Sequence, residues 1–280
     1  MRIAVATCRP LPEPDVDEPL LLEALEKAGI VAEMTAWDDP SVAWDTYDAC
    51  VVRSTWNYLD APGEFADWIR EVSTKTLLLN PAEAMIPNIH KRYLLNLEKA
   101  GVKIVPTKVL GKGEEVERVD FFEGRAIVIK PAISAGSWLT RKFIPSQFSE
   151  GVTFLAQNLT DQDMLVQPYL ESVERREEIA WNWIDGEVTH GVRKSPRFDE
   201  GYEDVSNAVY PTDEDRQRLA HIMDRAPQNL LYARIDLMED QGDWLLSELE
   251  LIEPSLFFKQ NPDAISKFIE ALRRRVAFGK

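Results

Sequence analysis

Apolar runs of strand length alternate along this chain with segments whose apolar residues recur at helical spacing. Residues 2–8 form one such run. In 18–29 the residues Leu21, Leu22, Leu25 and Ala28 repeat at a helix period, and Gly29 stands where a helix C-terminus needs positive φ. The runs 31–37 and 49–53 read as strands, 65–72 as a helix, and 76–79 as a strand ended by Asn80-Pro81. This β-α-β-β-α-β order predicts a small, mostly parallel, doubly wound sheet. The first turn lacks the glycines of a GxGxxG fingerprint, so no dinucleotide is expected there.

Further along, 91–100 reads as a helix closed by Gly101, and 102–106, 126–131 and 164–170 as strands. Asp185-Gly186 between 178–184 and 187–193 is a tight hairpin signal, and Gln241-Gly242 between 232–239 and 243–252 is a second. A helix is expected over 216–231, interrupted near Pro227, and a basic amphipathic helix over 262–276. The segment 194–212, rich in Asp, Glu, Tyr and Pro, reads as a long loop of the kind that carries substrate contacts.

The alternation itself raises the first chemical question. "LLSELELIEP" (245–254) places Glu248 and Glu250 two apart on one face of an apolar strand, where like charges with little water raise one another's pKa. Across the hairpin, "YARIDLM" puts Asp236 and Arg234 on one face as well. Three carboxylates on paired strands suit a hard cation with oxygen ligands, magnesium in particular. Glu253, at odd spacing, turns off that face unless the Glu-Pro bend redirects it. In "AIVIKPAISAGSW", Lys130 leaves a strand end beside Ser134, Ala135, Gly136 and Ser137, whose small side chains let backbone N–H groups approach a phosphate. "RSTWN" ends a strand of the parallel sheet at its ligand edge. There Arg53 is suited to pair with a carboxylate and Trp56 to wall a pocket.

Composition narrows the classes. Of the 280 residues, 45% are hydrophobic and 29% charged, with a formal net charge of −16, which argues against a nucleic-acid backbone or an anionic membrane surface as partner. No stretch approaches the ~20 apolar residues of a membrane span, and the opening "MRIAVATCRP" does not read as a signal peptide. A cytoplasmic location is expected. Cys8 and Cys50, both in strand-like runs, are expected as buried thiols. His90, His190 and His221 are not at metal-ligand spacing, and no Ser-His-Asp or Cys-His nucleophile is evident.

Taken in order, Lys91, "VIKPAISAGS", "LVQPYLES", "EIAWNWIDGEVTHGVRK", "ARIDL" and "LSELELIEPS" resemble the ATP-grasp ligases, a group that includes D-alanine–D-alanine ligase and glutathione synthetase. The resemblance covers residues 85–260. It implies an α/β (α+β) ATP-grasp fold, with an N-terminal Rossmann-like parallel-sheet domain and two α+β subdomains sandwiching ATP. The expected division is 1–85 for substrate, 86–165 with the lid loop, and 166–280 with the metal site. "VVRSTWNY", "HKRYLLNLEKAGVKIVPT" and "ELELIEPSLFF" are similar to the O-ureido-D-serine cyclo-ligase subgroup of the D-cycloserine pathway. After "KSP" that subgroup usually continues with a Phe-Arg motif and a Gly-rich loop. This chain reads "RFDEGYEDVSNAVYP", which leaves its substrate open.

Residue by residue, the resemblance implies that Lys91 and Lys130 hold ATP phosphates under a lid of Ser134, Ala135, Gly136 and Ser137. Gln167, Pro168, Tyr169 and Leu170 would read adenine, Glu174 the ribose, and Glu178 would open the central strand of the sheet. Asp236, Glu248 and Glu250 would bind one or two magnesium ions, with manganese as a substitute; the common pattern at the last two is Glu-x-Asn. Lys130, Arg234 and Lys194 would carry transition-state charge, and Arg53, Ser54, Thr55, Trp56, Glu253 and Ser255 would meet the substrate. The implied activity is an ADP-forming ligase that joins a small carboxylate to an amine through an acyl phosphate. Ring closure, ligation of two molecules and a non-catalytic ATP-binding role all stay open, as does monomer or homodimer.

Overall fold

The structure is a computed structural model describing residues 1–134, 136, 138–175, 178–194 and 205–278. Ala135, Ser137 and much of the expected 194–212 loop lie outside them. Three four-stranded sheets organise the described chain. The first is parallel, ordered β2-β1-β3-β4, from β1 (Arg2–Thr7), β2 (Val31–Ala36), β3 (Ala49–Ser54) and β4 (Leu77–Leu79). All six residues of β3 are buried, as a central parallel strand covered on both faces requires, so its sequence runs apolar without alternation. Helices α1 (Glu18–Lys27) and α2 (Pro62–Lys75) supply that cover, and α1 ends at Gly29 with φ +70°. Cys8 and Cys50 are free and buried, as expected.

The second sheet is antiparallel, ordered β5-β8-β6-β7, from β5 (Lys108–Leu110), β6 (Ile127–Pro131), β7 (Arg141–Phe143) and β8 (Met164–Pro168). Ile127 and Ile129 of β6 face a core closed by α5 (Phe148–Asn158) through Phe154 and Leu155. The third sheet, also antiparallel, is ordered β10-β9-β11-β12, from β9 (Glu178–Ile184), β10 (Glu187–Lys194), β11 (Tyr232–Asp240) and β12 (Asp243–Glu250). Both of its expected hairpin turns form, with φ of +47° and +99° at Asp185 and Gly186, and +55° and +90° at Gln241 and Gly242. Helices α4 (Tyr93–Lys99) and α6 (Asp213–Met223) pack on it through Leu94, Leu97, Leu219 and Ile222. The last helix, α7 (Asp263–Phe278), buries Phe268 and Leu272 in one core with Ile3 and Leu25 of the first layer and Ile184 and Tyr232 of the third.

Several elements depart from the sequence reading. Residues 102–106 form no strand of a sheet; Val105 donates to Leu246 O (2.9 Å) and a single parallel bridge joins Ile104 to Leu246. Pro106 has no N–H with which to extend that ladder. The helix expected over 216–231 begins earlier, because Thr212 and Asp215 form a reciprocal capping box, and it stops at Met223, before Pro227. Helices α3 (Ala82–Asn88) and α5 went unread: the first contains Pro87, and Gly151 in the second lies where an added Cβ would meet Val119 at 3.3 Å. The three-residue strands β5 and β7 are too short to show a period. The expected 165/166 boundary falls inside β8, which belongs wholly to the second sheet.

Asn80 ties the first and third layers together. Fully buried, it donates to Tyr232 O (2.8 Å) and Leu251 O (2.9 Å) and accepts from Leu231 N (2.6 Å). Tyr232 N also donates to it (3.3 Å), so Asn80→Ala leaves four buried backbone groups without that partner, and a loss of about 2–4 kcal/mol of unfolding free energy is expected in denaturant titration. A loss within 0.5 kcal/mol of zero would show that the backbone re-pairs around the gap.

Candidate active site

A cavity of about 540 Å³ opens where the three sheets meet, walled by Trp56 and Tyr58 from the first layer, Lys130 and Gln167 from the second, and Asp236 and Glu248 from the third. Its floor is the outer face of the β11–β12 hairpin. Asp236 stands opposite Glu248 and Arg234 opposite Glu250 in the antiparallel register. This face exists because of a bulge: the register shifts after Asp236, leaving Ser247 as an extra residue whose hydroxyl donates to Asp236 O (3.0 Å). Without it, strict alternation would put Leu246 beside Glu248 and Glu250. With it, Leu246 and Leu249 both enter the core and the two glutamates face the cavity.

The acids are neutralised by the protein's own cations. Lys130 Nζ lies 2.9 Å and Lys91 Nζ 3.4 Å from the Glu248 carboxylate. Arg234 forks onto Asp236 with two contacts of 2.9 Å and reaches Glu250 at 2.5 Å. Lys194 lies 2.7 Å from Asp236 and 3.4 Å from Glu178. Burial raises every one of these carboxyls, and the neighbouring cations decide the outcome. Glu248 ends well below the usual range because Lys130 and Lys91 overcome burial, and Asp236 is lowered by Arg234 and Lys194. Glu178 stays raised, since burial outweighs Lys194. Glu250 is pushed up to about 8 by burial, against Arg234 and with Asp236, Glu248 and Glu253 adding to the rise. Arg234 is already bound bidentately to Asp236, which limits what it gives Glu250.

Among the described residues no three acidic, His or Cys side chains form a ready-made metal cluster. The row Asp236, Glu248 and Glu250 nevertheless fits a hard divalent cation in donor chemistry, since all three present carboxylate oxygens on one face.

Next to this row lies an apolar slot lined by Val105, Val128, Leu170, Val173 and Met238. Gln167, Pro168, Tyr169 and Leu170 edge it, with Gln167 donating to Thr107 Oγ1 (2.9 Å) and Tyr169 N donating to Ala126 O (2.7 Å). Ser134 is buried; its carbonyl accepts from Lys91 Nζ (2.7 Å), and Gly136 lines the mouth. Ala135 and Ser137 lie outside the described residues. Glu174 is off the wall: its side chain is 62% exposed and held by Lys142 (3.2 Å) and Tyr169 Oη (2.9 Å). Met238 was missed, although it continues the Arg234–Asp236 period by two. Tyr93, whose hydroxyl accepts from Leu249 N (3.0 Å), has no signal beyond its place after Lys91.

The substrate expectation divides. Trp56, Glu253 and Ser255 line the cavity, whereas Arg53, Ser54 and Thr55 do not. Arg53 is 2% exposed and turned into the fold, donating to Pro254 O (2.8 Å), lying 3.8 Å from Asp17 and stacking over Tyr232 at 5.5 Å. The strand edge that looked like an open ligand site is closed by the 253–258 segment. Asp17, fully buried, accepts from Leu256 N (2.6 Å), Phe257 N (3.0 Å) and Phe258 N (2.8 Å), so Asp17 and Arg53 seat that segment from beneath. His190 is buried against Phe257 O (3.2 Å) and does not reach the cavity. Removing the anion in Asp17→Ala strands Arg53 and three amides; a loss of about 3–5 kcal/mol is expected in chemical unfolding. Wild-type stability would show that the seat is made by packing alone.

Comparison with known proteins follows the same outline. A family model described as the N-terminal domain of D-cycloserine synthetase DcsG matches residues 3–80. The cycloserine biosynthesis protein DcsG of Streptomyces lavendulae is 30% identical over 284 residues, 94% of each chain. A crystal structure of D-cycloserine synthetase DcsG superposes with a TM-score of 0.89 at 28% identity, covering 99% of this chain and 100% of that one. A D-alanine–D-alanine ligase from Bacillus anthracis, complexed with ATP, gives a TM-score of 0.71 at 15% identity over 99% and 97% of the two chains, a likeness of fold alone.

Proposed function

The chain belongs to the DcsG family of ATP-grasp ligases, and we propose that it joins a carboxylate to an amine of a small amino-acid-like substrate at the expense of ATP. Ring closure within one molecule is the form its likeness to DcsG favours. The observation that carries this reading is the convergence of Lys91, Lys130, Lys194 and Arg234 on one carboxylate row beside an apolar slot. A carboxylate is a poor acyl donor, because its leaving group would be oxide. Its oxygen attacks the γ-phosphorus of ATP, the bond to the β-phosphate oxygen breaks, and ADP leaves. The amine then attacks the acyl-phosphate carbon, the C–O bond to phosphate breaks, and the nitrogen loses its proton.

The phosphoryl transition state needs positioning and charge neutralisation more than covalent help. Lys91 and Lys130, now on Glu248, are placed to turn to phosphate oxygens, and Arg234 and Lys194 keep positive charge at the floor. Gln167 to Leu170 and the slot take the base through backbone groups and apolar contact, with Ser134 and Gly136, and by the same reading Ala135 and Ser137, over the phosphates. Asp236, Glu248 and Glu250 would hold magnesium, which would neutralise and polarise the phosphate oxygens when bound. We assign substrate contact to Trp56, Glu253 and Ser255, and a cytoplasmic location to the whole; among the described residues no helix is long and apolar enough to cross a membrane. On this reading 1–85 carries the substrate wall, 86–165 the phosphate lid and 166–280 the carboxylate floor.

The reading is tested by screening amino acids and their O- and N-acyl derivatives for substrate-dependent ADP release, with mass spectrometry of the product. Loss of water from one molecule marks ring closure, and two joined molecules mark ligation. With the active substrate, Glu248→Gln and Asp236→Asn are expected to reduce ADP release by at least about 10²-fold; turnover within twofold of wild type would remove these acids from the reaction. Charge linkage gives a second expectation. With its pKa near 8, Glu250 is largely protonated in the free cleft at about pH 7, and it must ionise to bind a metal. Binding of magnesium–ATP at pH 7 should therefore release a proton, and the release should fade above about pH 9. Calorimetry in buffers of different ionisation enthalpy reads the proton directly, and uptake or no change at pH 7 would show that Glu250 does not give up a proton to a metal.

A further inference from the structure

Among the described residues the cavity holds one buried acid that the charge pairing leaves over. Glu178, Asp236, Glu248 and Glu250 each have a lysine or arginine within 3.4 Å. Glu253 is only 9% exposed and opens on the cavity, yet among the described residues no Lys, Arg or His nitrogen comes within ion-pair distance of it. Its near neighbour is the Tyr58 hydroxyl, and Lys91 and Arg234 act on it only from a distance. A buried carboxylate without a counter-ion is costly, and burial raises its proton affinity accordingly. The segment is not free to relieve that cost, because Arg53 grips Pro254 and Asp17 grips the next turn.

The first layer's side of the cavity has one sign of charge. The first layer contributes Glu13, Trp56, Tyr58 and Asp60 to the cavity and no lysine or arginine. Among the described residues, all four cations on the wall, Lys91, Lys130, Lys194 and Arg234, come from the other two layers and the segment that joins them. The cavity is thus polarised, cationic toward the carboxylate row and anionic and aromatic toward the first sheet. Faces of Trp and Tyr also attract an ammonium group.

We propose that Glu253 binds the ammonium group of a zwitterionic α-amino acid, with Tyr58 and Trp56 flanking it, so that the substrate's own carboxylate is directed toward Lys91 and Lys130. This rests on the ligase reading and adds to it a substrate-binding residue and the orientation that residue imposes. The ammonium held in this way is not the attacking nitrogen. The nucleophile is a second amine, on the side chain of the same molecule for ring closure or on another molecule for ligation. Arg53, which the sequence offered as the carboxylate anchor, is enclosed, and the cavity presents in its place an acid, Glu253, from the segment that follows β12.

The test extends the substrate screen to matched sets: each amino-acid derivative as the free amine, as its N-acetyl form and as its desamino form. Only the free amines should release ADP. For the active amine, Glu253→Gln should raise KM by about 30-fold or more with a smaller change in kcat, while ATP affinity and the thermal transition stay at wild-type values to show an intact cleft. N-acetyl or desamino forms that turn over as well as the amine, or an unchanged KM in Glu253→Gln, would overturn the ammonium site while leaving the ligase reading in place. If no derivative releases ADP the ligase reading fails, and calorimetric titration with D- and L-serine against their N-acetyl forms still decides the site. Binding of a free serine that is lost on acetylation and weakened about tenfold or more by Glu253→Gln upholds it; no binding of either serine, or equal binding by the variant, overturns it.

Discussion

Seven carboxylates line one cavity, and unopposed they would repel one another and destabilise any fold that brought them together. Everything at this site depends on how that repulsion is met. Lys130 from β6, Lys91 from the segment before α4, Lys194 from β10 and Arg234 from β11 each reach the acids of the β11–β12 face. None of the four is adjacent in sequence to the glutamates it serves. The fold is therefore a means of delivering positive charge from separate strands to one row of oxygens. The price of that arrangement is that each cation and acid is already committed to a partner, which on the proposed reading it would exchange for phosphate or metal.

That exchange explains why the site can be both stable and reactive. Glu248, tightly held by two ammonium groups, stays ionised, whereas Glu250 shares an arginine already forked onto Asp236 and keeps its proton to higher pH. Two glutamates two residues apart thus differ in charge state because their neighbours differ. On the proposed reading, a cavity poised in this way offers cations to a polyanion and oxygens to a divalent ion, with both sets half-buried.

Much of this was legible in the sequence because periodicity reports which residues share a face. The strand pairs of the first sheet, both hairpins and the grouping of Asp236, Glu248 and Glu250 follow from spacing and turn residues alone. What was not legible depends on contacts distant in the chain. Arg53 looked like a ligand arginine because it ends a parallel strand, but the turn at Pro254, about 200 residues on, covers that edge. The bulge at Ser247 has no local signature, and the glutamates fall on the expected face through a different register from the one simple alternation assumes. The ion pairs that Lys91 and Lys130 make with Glu248 were hidden for the same reason, since they join elements more than 100 residues apart in the chain.

The distribution of core residues among the three sheets has a mechanical consequence. Helix α7 fuses the first and third sheets through a single apolar core, in which Ile3, Leu25, Tyr232 and Phe268 pack together. The second sheet closes its own core around Ile127, Ile129 and Phe154. Its ties to the remainder include the Lys130–Glu248 and Arg125–Asp240 ion pairs, the Lys91 N to Ala132 O hydrogen bond and a small cluster around Val105 and Leu170. The molecule is thus a rigid jaw of two fused layers facing a lighter one. The lighter layer is held to the jaw by ion pairs, hydrogen bonds and one small apolar cluster instead of a shared core, so it has less to lose by swinging away than either fused layer has.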